Sequence, residues 1–245
     1  MARFLVLLFL PILAGCDVSG YGYLEFDAVN TSLMRALVAG DLAAADRAIE
    51  AGADLNFSGR DGLTPAIWYV RLEKEVSLPV LQFMFERGAQ PNLQSTAGYS
   101  MMYFAAARAD VAILDAVVGA GGDPNLANPA NHVTGYPIFN VIASSNMDNL
   151  PALNFLIEHG AELRVRSGSR VTPLMFAVMM AQFDLAVAIV NSEPLTRCDA
   201  IVHGGQLRTV DVDALIRDGV ISQESGQIPF RDSLVEIIAD VECPE

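Results

Sequence analysis

One short phrase returns at a constant interval along this chain. It reads Gly62-Leu63-Thr64-Pro65, Gly98-Tyr99-Ser100-Met101, Gly135-Tyr136-Pro137 and Thr172-Pro173-Leu174. Positions 64, 100, 136 and 172 within it stand 36 residues apart. A second phrase precedes each copy of the first. It reads Gly52-Ala53-Asp54, Gly88-Ala89-Gln90, Gly121-Gly122-Asp123 and Gly160-Ala161-Glu162. Two phrases in phase at this period indicate a repeat architecture.

Both phrases carry the chemistry of helix boundaries. Thr or Ser accepts hydrogen bonds from the first N–H groups of a helix, and a following Pro supplies the φ angle of the first turn. The Gly of the second phrase suits the left-handed residue that ends a helix, and an Asp-x-Asn after it favours a turn. Each unit is therefore predicted to be a helix, a short turn, a second helix and an extended finger loop.

The first 15 residues are predicted to be a leader outside the fold. Arg3 precedes an apolar run, 4–13, that has the length of a signal-peptide core and is too short to span a membrane. The run ends in Leu13-Ala14-Gly15-Cys16, which resembles the lipobox of bacterial lipoproteins. The resemblance implies cleavage before Cys16 and acylation of that residue, and several acyl chains anchor a protein stably. The alternative is an ordinary secretory leader with a nearby Cys.

The lipobox resemblance also implies a location. It places the protein on the periplasmic side of a bacterial cell envelope, with residues 16–30 as lipid attachment and tether. Asp17 resembles the inner-membrane retention signal of enteric bacteria, so the inner membrane is favoured and the outer membrane stays open.

The charge balance argues against one class of partner. The chain has 29 acidic and 15 basic residues and a net charge of −14. Such a surface repels phosphate backbones and anionic headgroups, so we expect no nucleic-acid partner and no basic membrane-surface patch. Membrane contact is expected through the lipid on Cys16.

The repeating units resemble ankyrin repeats. Gly62-Leu63-Thr64-Pro65 and Thr172-Pro173-Leu174 match the opening of the family's pattern, and Gly121-Gly122-Asp123-Pro124-Asn125 matches its G-A-D-x-N closing. The resemblance implies an all-α ankyrin-repeat solenoid of about five helix-turn-helix units over 31–192. The period of 36 exceeds the family's period of about 33 because extra residues fall at different places in different units.

The family's His in T-P-L-H is absent from every unit. Its position is held by Met34, Ile67, Tyr103, Phe139 and Met175. We therefore expect apolar contact between neighbouring units where the family uses hydrogen bonds of an imidazole.

The repeat pattern is lost after residue 192. The open end of an array needs a cover, so residues 193–245 are predicted to be a small irregular C-terminal cap with short helices at 212–217 and 230–239. Cys198 and Cys243 lie in this segment. In an oxidising periplasm they predict a disulfide, with two buried thiols as the alternative.

Nothing in the sequence indicates catalysis, a cofactor or a metal. His132, His159 and His203 have no second ligand at metal-binding spacing, and motifs for a nucleophile elbow, a zinc protease, a phosphate loop or a CxxC pair are missing. His159 is interpreted as a helix-end residue that interacts with the helix dipole. The chain is therefore predicted not to be an enzyme.

A protein-binding module is the leading interpretation. Partners of ankyrin proteins lie along the finger tips and the exposed side of each first helix, and the resemblance carries this role to matching positions. Those positions are Leu63, Ile67, Arg71, Tyr99, Tyr103, Arg108, Phe139, Val171, Met175, Met179 and Met180. Arg166 and Arg170 are added because they cluster with Arg164 on the last finger of an acidic chain, where contact with an acidic partner and solvation of the finger tip are alternatives. Interface centres favour Tyr, Met and Arg. For Ile67, Phe139 and Met175, packing between first helices is an equal alternative.

The partner is suggested by resemblance as well. Ankyrin lipoproteins of Gram-negative bacteria include immunity proteins that neutralise an antibacterial toxin, in several cases a phospholipase delivered by type VI secretion. A tether concentrates such an inhibitor where the toxin acts. The alternative is a periplasmic scaffold or stress-protection protein that holds a resident enzyme. In either role we expect a monomer in the absence of the partner.

Overall fold

The computed structural model describes residues 27–72, 75–131, 135–144, 148–167, 171–192 and 228–239. Over these ranges the protein is all-α, as predicted, with eleven α-helices, one 3₁₀ turn and no strand. None of the helices in these ranges is long and apolar enough to cross a membrane. Several predictions lie outside the described residues: the leader, Cys16, Arg170, the helix at 212–217, Cys198 and Cys243.

The helices form five consecutive pairs and a final single helix. They are α1 (Ala28–Val38), α2 (Leu42–Glu50), α3 (Pro65–Leu72), α4 (Leu78–Glu86), α5 (Met101–Arg108), α6 (Val111–Gly119), α7 (Pro137–Ala143), α8 (Leu150–Glu158), α9 (Pro173–Met179), α10 (Phe183–Ser192) and α11 (Ile228–Ala239). The 3₁₀ turn, Arg60–Gly62, precedes α3. Odd-numbered helices from α1 to α9 are the first helices of the pairs, and even-numbered helices are the second.

The recurring phrase begins helices as predicted. Helices α3, α5, α7 and α9 start one residue after positions 64, 100, 136 and 172. The hydroxyls of Thr64, Ser100 and Thr172 each accept a hydrogen bond from the backbone N–H three residues on, at 3.1–3.3 Å. Tyr136 makes no side-chain cap, and α7 begins with a proline in its first turn.

The glycines of the second phrase end the second helices, also as predicted. Gly52, Gly88, Gly121 and Gly160 have φ angles of 102°, 88°, 89° and 84°. This left-handed conformation is the usual helix stop and is costly for residues with a Cβ. The chain can therefore turn from each second helix into the next finger without strain.

The first helix begins earlier than predicted. Its N-cap is Asp27, whose carboxylate accepts the N–H of Asn30 at 2.9 Å. Thr31 lies one turn inside the helix, where its N–H bonds to the Asp27 carbonyl, so it is not the cap. The predicted tether, 16–30, therefore overlaps α1 at its last three residues.

The helix pairs stack in chain order around one continuous apolar core. Each first helix packs on the next first helix from α1 to α9, and each second helix packs on the next from α4 to α10. Helix α11 packs on α10 and buries Leu234 completely. A helix is thus present where one was predicted at 230–239, and it packs on the second helix of the last pair.

Three asparagines link neighbouring units at the bases of the fingers. Each of Asn56, Asn92 and Asn125 donates from Nδ2 to a glycine carbonyl of the next unit at 2.8–2.9 Å and accepts a backbone N–H of that unit on Oδ1 at 2.8 Å. The glycines are Gly88, Gly121 and Gly160, and the N–H groups belong to Gln90, Asp123 and Glu162. These bonds fix the register between units.

The prediction of apolar contact at the His position of the ankyrin pattern is met only in part, because the Tyr103 hydroxyl accepts a hydrogen bond from Asn131. Met34, Ile67, Phe139 and Met175 are all buried. The ring of Phe139 in α7 meets that of Phe176 in α9 edge-to-face, with centroids 5.5 Å apart. These side chains hold neighbouring first helices together.

Candidate protein-binding surface

Four predicted contact residues are buried, and the structure corrects their assignment. Leu63, Ile67, Phe139 and Met175 have exposures of 3% or less. A side chain with no solvent-exposed surface cannot meet a partner on this fold. Leu63, Ile67 and Phe139 belong to the apolar core of the stack, and the Phe139 ring packs against that of Phe176 in the next first helix, α9.

The other described contact residues reach the surface. Arg71, Arg166, Met179 and Met180 are exposed. Tyr99, Tyr103, Arg108 and Val171 are half-buried. The question is which of them lie together.

An aromatic cluster joins α5 to the finger that precedes it. The rings of Tyr99, Tyr103 and Phe104 have centroids 5.0–5.3 Å apart, and both Tyr103 contacts are edge-to-face. Aromatic pairs prefer such geometries, which add to the effect of burial. All three residues are half-buried, so part of the cluster faces solvent.

Two arginines border this cluster. The Arg71 Cζ atom lies 5.9 Å from the centroid of the Phe104 ring, within the range of a cation–π contact. The Nε of Arg108 donates to the carbonyl oxygen of Val70 at 2.9 Å, beside Arg71 at the end of α3. The C-terminal ends of α3 and α5 are therefore joined next to the aromatic cluster. We call Arg71, Tyr99, Tyr103, Phe104 and Arg108 the aromatic–arginine patch.

The finger loops hold the tyrosines of the patch in place. Asn131, in the next finger, donates from Nδ2 to the Tyr103 hydroxyl at 2.9 Å. Ser95 donates its N–H to the Tyr99 carbonyl at 2.8 Å and accepts the Tyr99 N–H on Oγ at 3.0 Å. A surface ordered in this way loses little conformational entropy on binding.

The remaining exposed candidates lie elsewhere. Met179 and Met180 stand at the C-terminal end of α9, 49% and 46% exposed, and α7 separates α9 from α5 in the stack. Arg166 lies on the last finger with Arg164, and both are exposed. The structure thus brings Arg71, Tyr99, Tyr103 and Arg108 together and places these others apart from them.

Sequence reasoning missed Phe104 and Asn131. Phe104 follows the position that the family fills with His, and the family pattern gives it no role. Its signal was a second aromatic residue next to Tyr103 in a short helix, with Tyr99 just before the helix. Asn131 carried no signal because its partner, the Tyr103 hydroxyl, lies 28 residues earlier in the sequence.

No cluster of three or more His, Cys, Asp or Glu able to hold a metal ion occurs within the described ranges. The Nδ1 of His159 lies 2.8 Å from the carbonyl oxygen of Phe155, and the two rings stack with centroids 4.0 Å apart. This is the helix-end position inferred for His159 from the sequence.

Comparison with known proteins adds no assignment. No family model matches the chain, and no curated protein shows significant similarity to it.

Proposed function

We propose that the chain is an ankyrin-repeat solenoid that acts as a lipid-anchored, periplasmic protein-binding module. Its proposed partner is an antibacterial toxin, such as a phospholipase, and binding neutralises that toxin. The 36-residue period, the hydroxyl caps, the left-handed glycines and the asparagine links between units support the ankyrin assignment.

The aromatic–arginine patch is the observation that carries the binding role. Tyr, Phe and Arg side chains dominate the energetic centres of protein interfaces. Here they are partly exposed, in contact with one another and held by two finger loops. The patch lies at the fingers and first helices, where the ankyrin resemblance locates partners.

Two sequence features support the toxin-neutralising role. The lipobox-like Leu13-Ala14-Gly15-Cys16 supports attachment to a membrane. The combination of such a leader with ankyrin-like units resembles bacterial immunity lipoproteins. A tethered inhibitor reaches a high effective concentration at the membrane that a toxin attacks.

Affinity capture tests the binding role. The full chain should recover one protein from periplasmic extract, and Tyr103→Ala should recover much less of it. Phe85→Ala is the matched control, because Phe85 is a half-buried aromatic residue on the second helix α4.

Protection of cells tests the toxin-neutralising role. Cells that express the captured protein in the periplasm should survive only with the wild-type chain. Full resistance of a deletion strain to attack by its siblings would contradict this role, and recovery of a resident enzyme without any attacker would indicate a scaffold instead. For the anchor, Cys16→Ser should abolish acyl labelling, and labelling that persists would contradict lipidation at Cys16.

A further inference from the structure

The hydroxyl of Tyr103 is a polar group within the aromatic–arginine patch. The Tyr103 ring packs edge-to-face against those of Tyr99 and Phe104, with centroids 5.0 and 5.2 Å apart. The backbone N–H of Tyr103 donates to the Ser100 hydroxyl at 3.1 Å, in the cap of α5. Ring and backbone are therefore held in place, and the chemistry that the residue offers depends on where its hydroxyl hydrogen points.

Asn131 uses the accepting side of this hydroxyl. A tyrosine hydroxyl has one hydrogen to donate and lone pairs that accept, whereas an amide nitrogen only donates. The Nδ2 of Asn131 donates to the Tyr103 oxygen at 2.9 Å, so the hydroxyl hydrogen points to a different acceptor. Among the residues that the structure describes, none accepts this hydrogen. Because Tyr103 is only half-buried, water can take the hydrogen bond in the free protein.

A partner that covers the aromatic cluster displaces that water. A donor enclosed without an acceptor costs free energy, so this point of the surface disfavours a purely apolar group and favours an oxygen. We propose that Tyr103 donates its hydroxyl hydrogen to a carbonyl or carboxylate oxygen of the partner, and that Asn131 sets this direction. The inference rests on the proposed binding function and names the acceptor chemistry that the patch selects.

Two substitutions of Asn131 separate this directing role from a purely structural one. Asn131→Asp inverts the arrangement, because a carboxylate only accepts and so takes the Tyr103 hydrogen for itself. Asn131→Ala leaves the hydroxyl free to donate to the partner. If Asn131 only held the Tyr103 ring in place, the effects would be reversed, since Asn131→Asp keeps a bond between the two side chains and Asn131→Ala removes it.

Short peptides selected from a displayed random library on the full chain provide the probe, after removal of those that also bind Tyr103→Ala. Tyr103→Phe should bind the remaining peptides about tenfold more weakly, because one hydrogen bond is lost and the peptide's acceptor is left unpaired. Asn131→Asp should lose about as much affinity, and Asn131→Ala should lose less. Ala130→Asp is the matched control, because it places the same charge at the exposed neighbouring residue, and it should bind as the wild type does.

Several results would overturn the inference. They are a lack of any peptide that depends on Tyr103, equal binding of the peptides to the wild type and to Tyr103→Phe, or tighter binding to Asn131→Asp than to a stably folded Asn131→Ala. A loss in Ala130→Asp as large as that in Asn131→Asp would also overturn it, because charge would then explain the effect. The library contains no native partner, so these results are separable from failure of the proposed function, which would appear as capture of no periplasmic protein.

Discussion

The Nε of Arg108 donates a hydrogen bond to the carbonyl oxygen of Val70 at 2.9 Å and so joins the C-terminal ends of α5 and α3. Val70 directly precedes Arg71, whose Cζ lies 5.9 Å from the centroid of the Phe104 ring, so the bond joins the two helices next to the aromatic cluster. It also stabilises the packing of two first helices, because a buried end of a helix needs partners for its last carbonyls. Substitution of Arg108 therefore changes both folding and recognition, whereas Arg71 and Tyr103 give more direct tests of the surface.

The asparagine links should contribute measurably to stability. Asn92→Ala removes the bonds to the Gly121 carbonyl and the Asp123 N–H, and we expect a loss of about 1–3 kcal/mol in the free energy of unfolding. Urea denaturation measures it. Asn154→Ala, at an exposed asparagine of α8, is the control and should change stability by less than about 0.5 kcal/mol. Equal stabilities of the two variants would mean that the links do not hold the units together.

Phe139 tests the apolar packing between neighbouring first helices. It is fully buried against Phe176, so Phe139→Ala should reduce the free energy of unfolding by about 3–5 kcal/mol. Met179→Ala removes a 49% exposed side chain and should cost less than about 0.5 kcal/mol. Thermal or urea unfolding of both variants compares them. A loss below that of Met179→Ala would place Phe139 outside the packed core.

The Arg87–Asp46 pair predicts a pH dependence of stability. Arg87 donates from Nε and Nη2 to the two carboxylate oxygens of Asp46 at 2.7 and 2.8 Å, and the hydrogen bond lowers the pKa of Asp46. Since the folded pKa lies below the unfolded one, the pair stabilises the fold above about pH 4 and loses this effect as the pH falls through the lowered pKa.

Asp46→Asn isolates this contribution. Wild type should be more stable than the variant near neutral pH, and the difference should shrink as the solution is acidified and as salt is added, since both groups are exposed. Urea midpoints over a pH series measure it. A difference that grows toward low pH would contradict the assigned sign.

Ala181 is held in a conformation that favours glycine. Its φ angle is 58° at the turn between α9 and α10, where an L side chain crowds the backbone. Ala181→Gly should raise the free energy of unfolding by up to about 1 kcal/mol, despite the greater entropy that glycine has in the unfolded chain. Ala107→Gly, inside α5, should lower it by about 1 kcal/mol. Destabilisation by both changes would contradict the strain at Ala181.

Helix boundaries were predictable because they depend on local chemistry. A hydroxyl before a helix and a glycine after it satisfy nearby backbone groups, so positions 64, 100 and 172 marked helix starts correctly. The start of α1 was misplaced because Asp27 and Thr31 are both good caps, and the sequence does not rank them. The binding surface was harder to predict, since burial of Ile67 and Phe139 depends on the neighbouring units.

The aromatic–arginine patch could also be predicted only in part from the sequence. Tyr99 and Tyr103 were identified by their place in the repeat, but Phe104 and Asn131 join them through contacts between segments. Residue type alone did not separate Met175, which is buried, from Met179, which is exposed four residues later. Residues four apart lie on nearly the same face of a helix, so periodicity does not separate these two. Their exposure differs because α9 ends at Met179.

Binding of the captured partner to Tyr103→Ala is the most direct measurement of the central claim. Isothermal titration of the wild type, Tyr103→Ala and the control Phe85→Ala gives the three affinities. The account predicts that Tyr103→Ala binds about tenfold or more weakly and that Phe85→Ala binds as the wild type does. Equal affinities of wild type and a stably folded Tyr103→Ala would contradict the assignment of the partner surface.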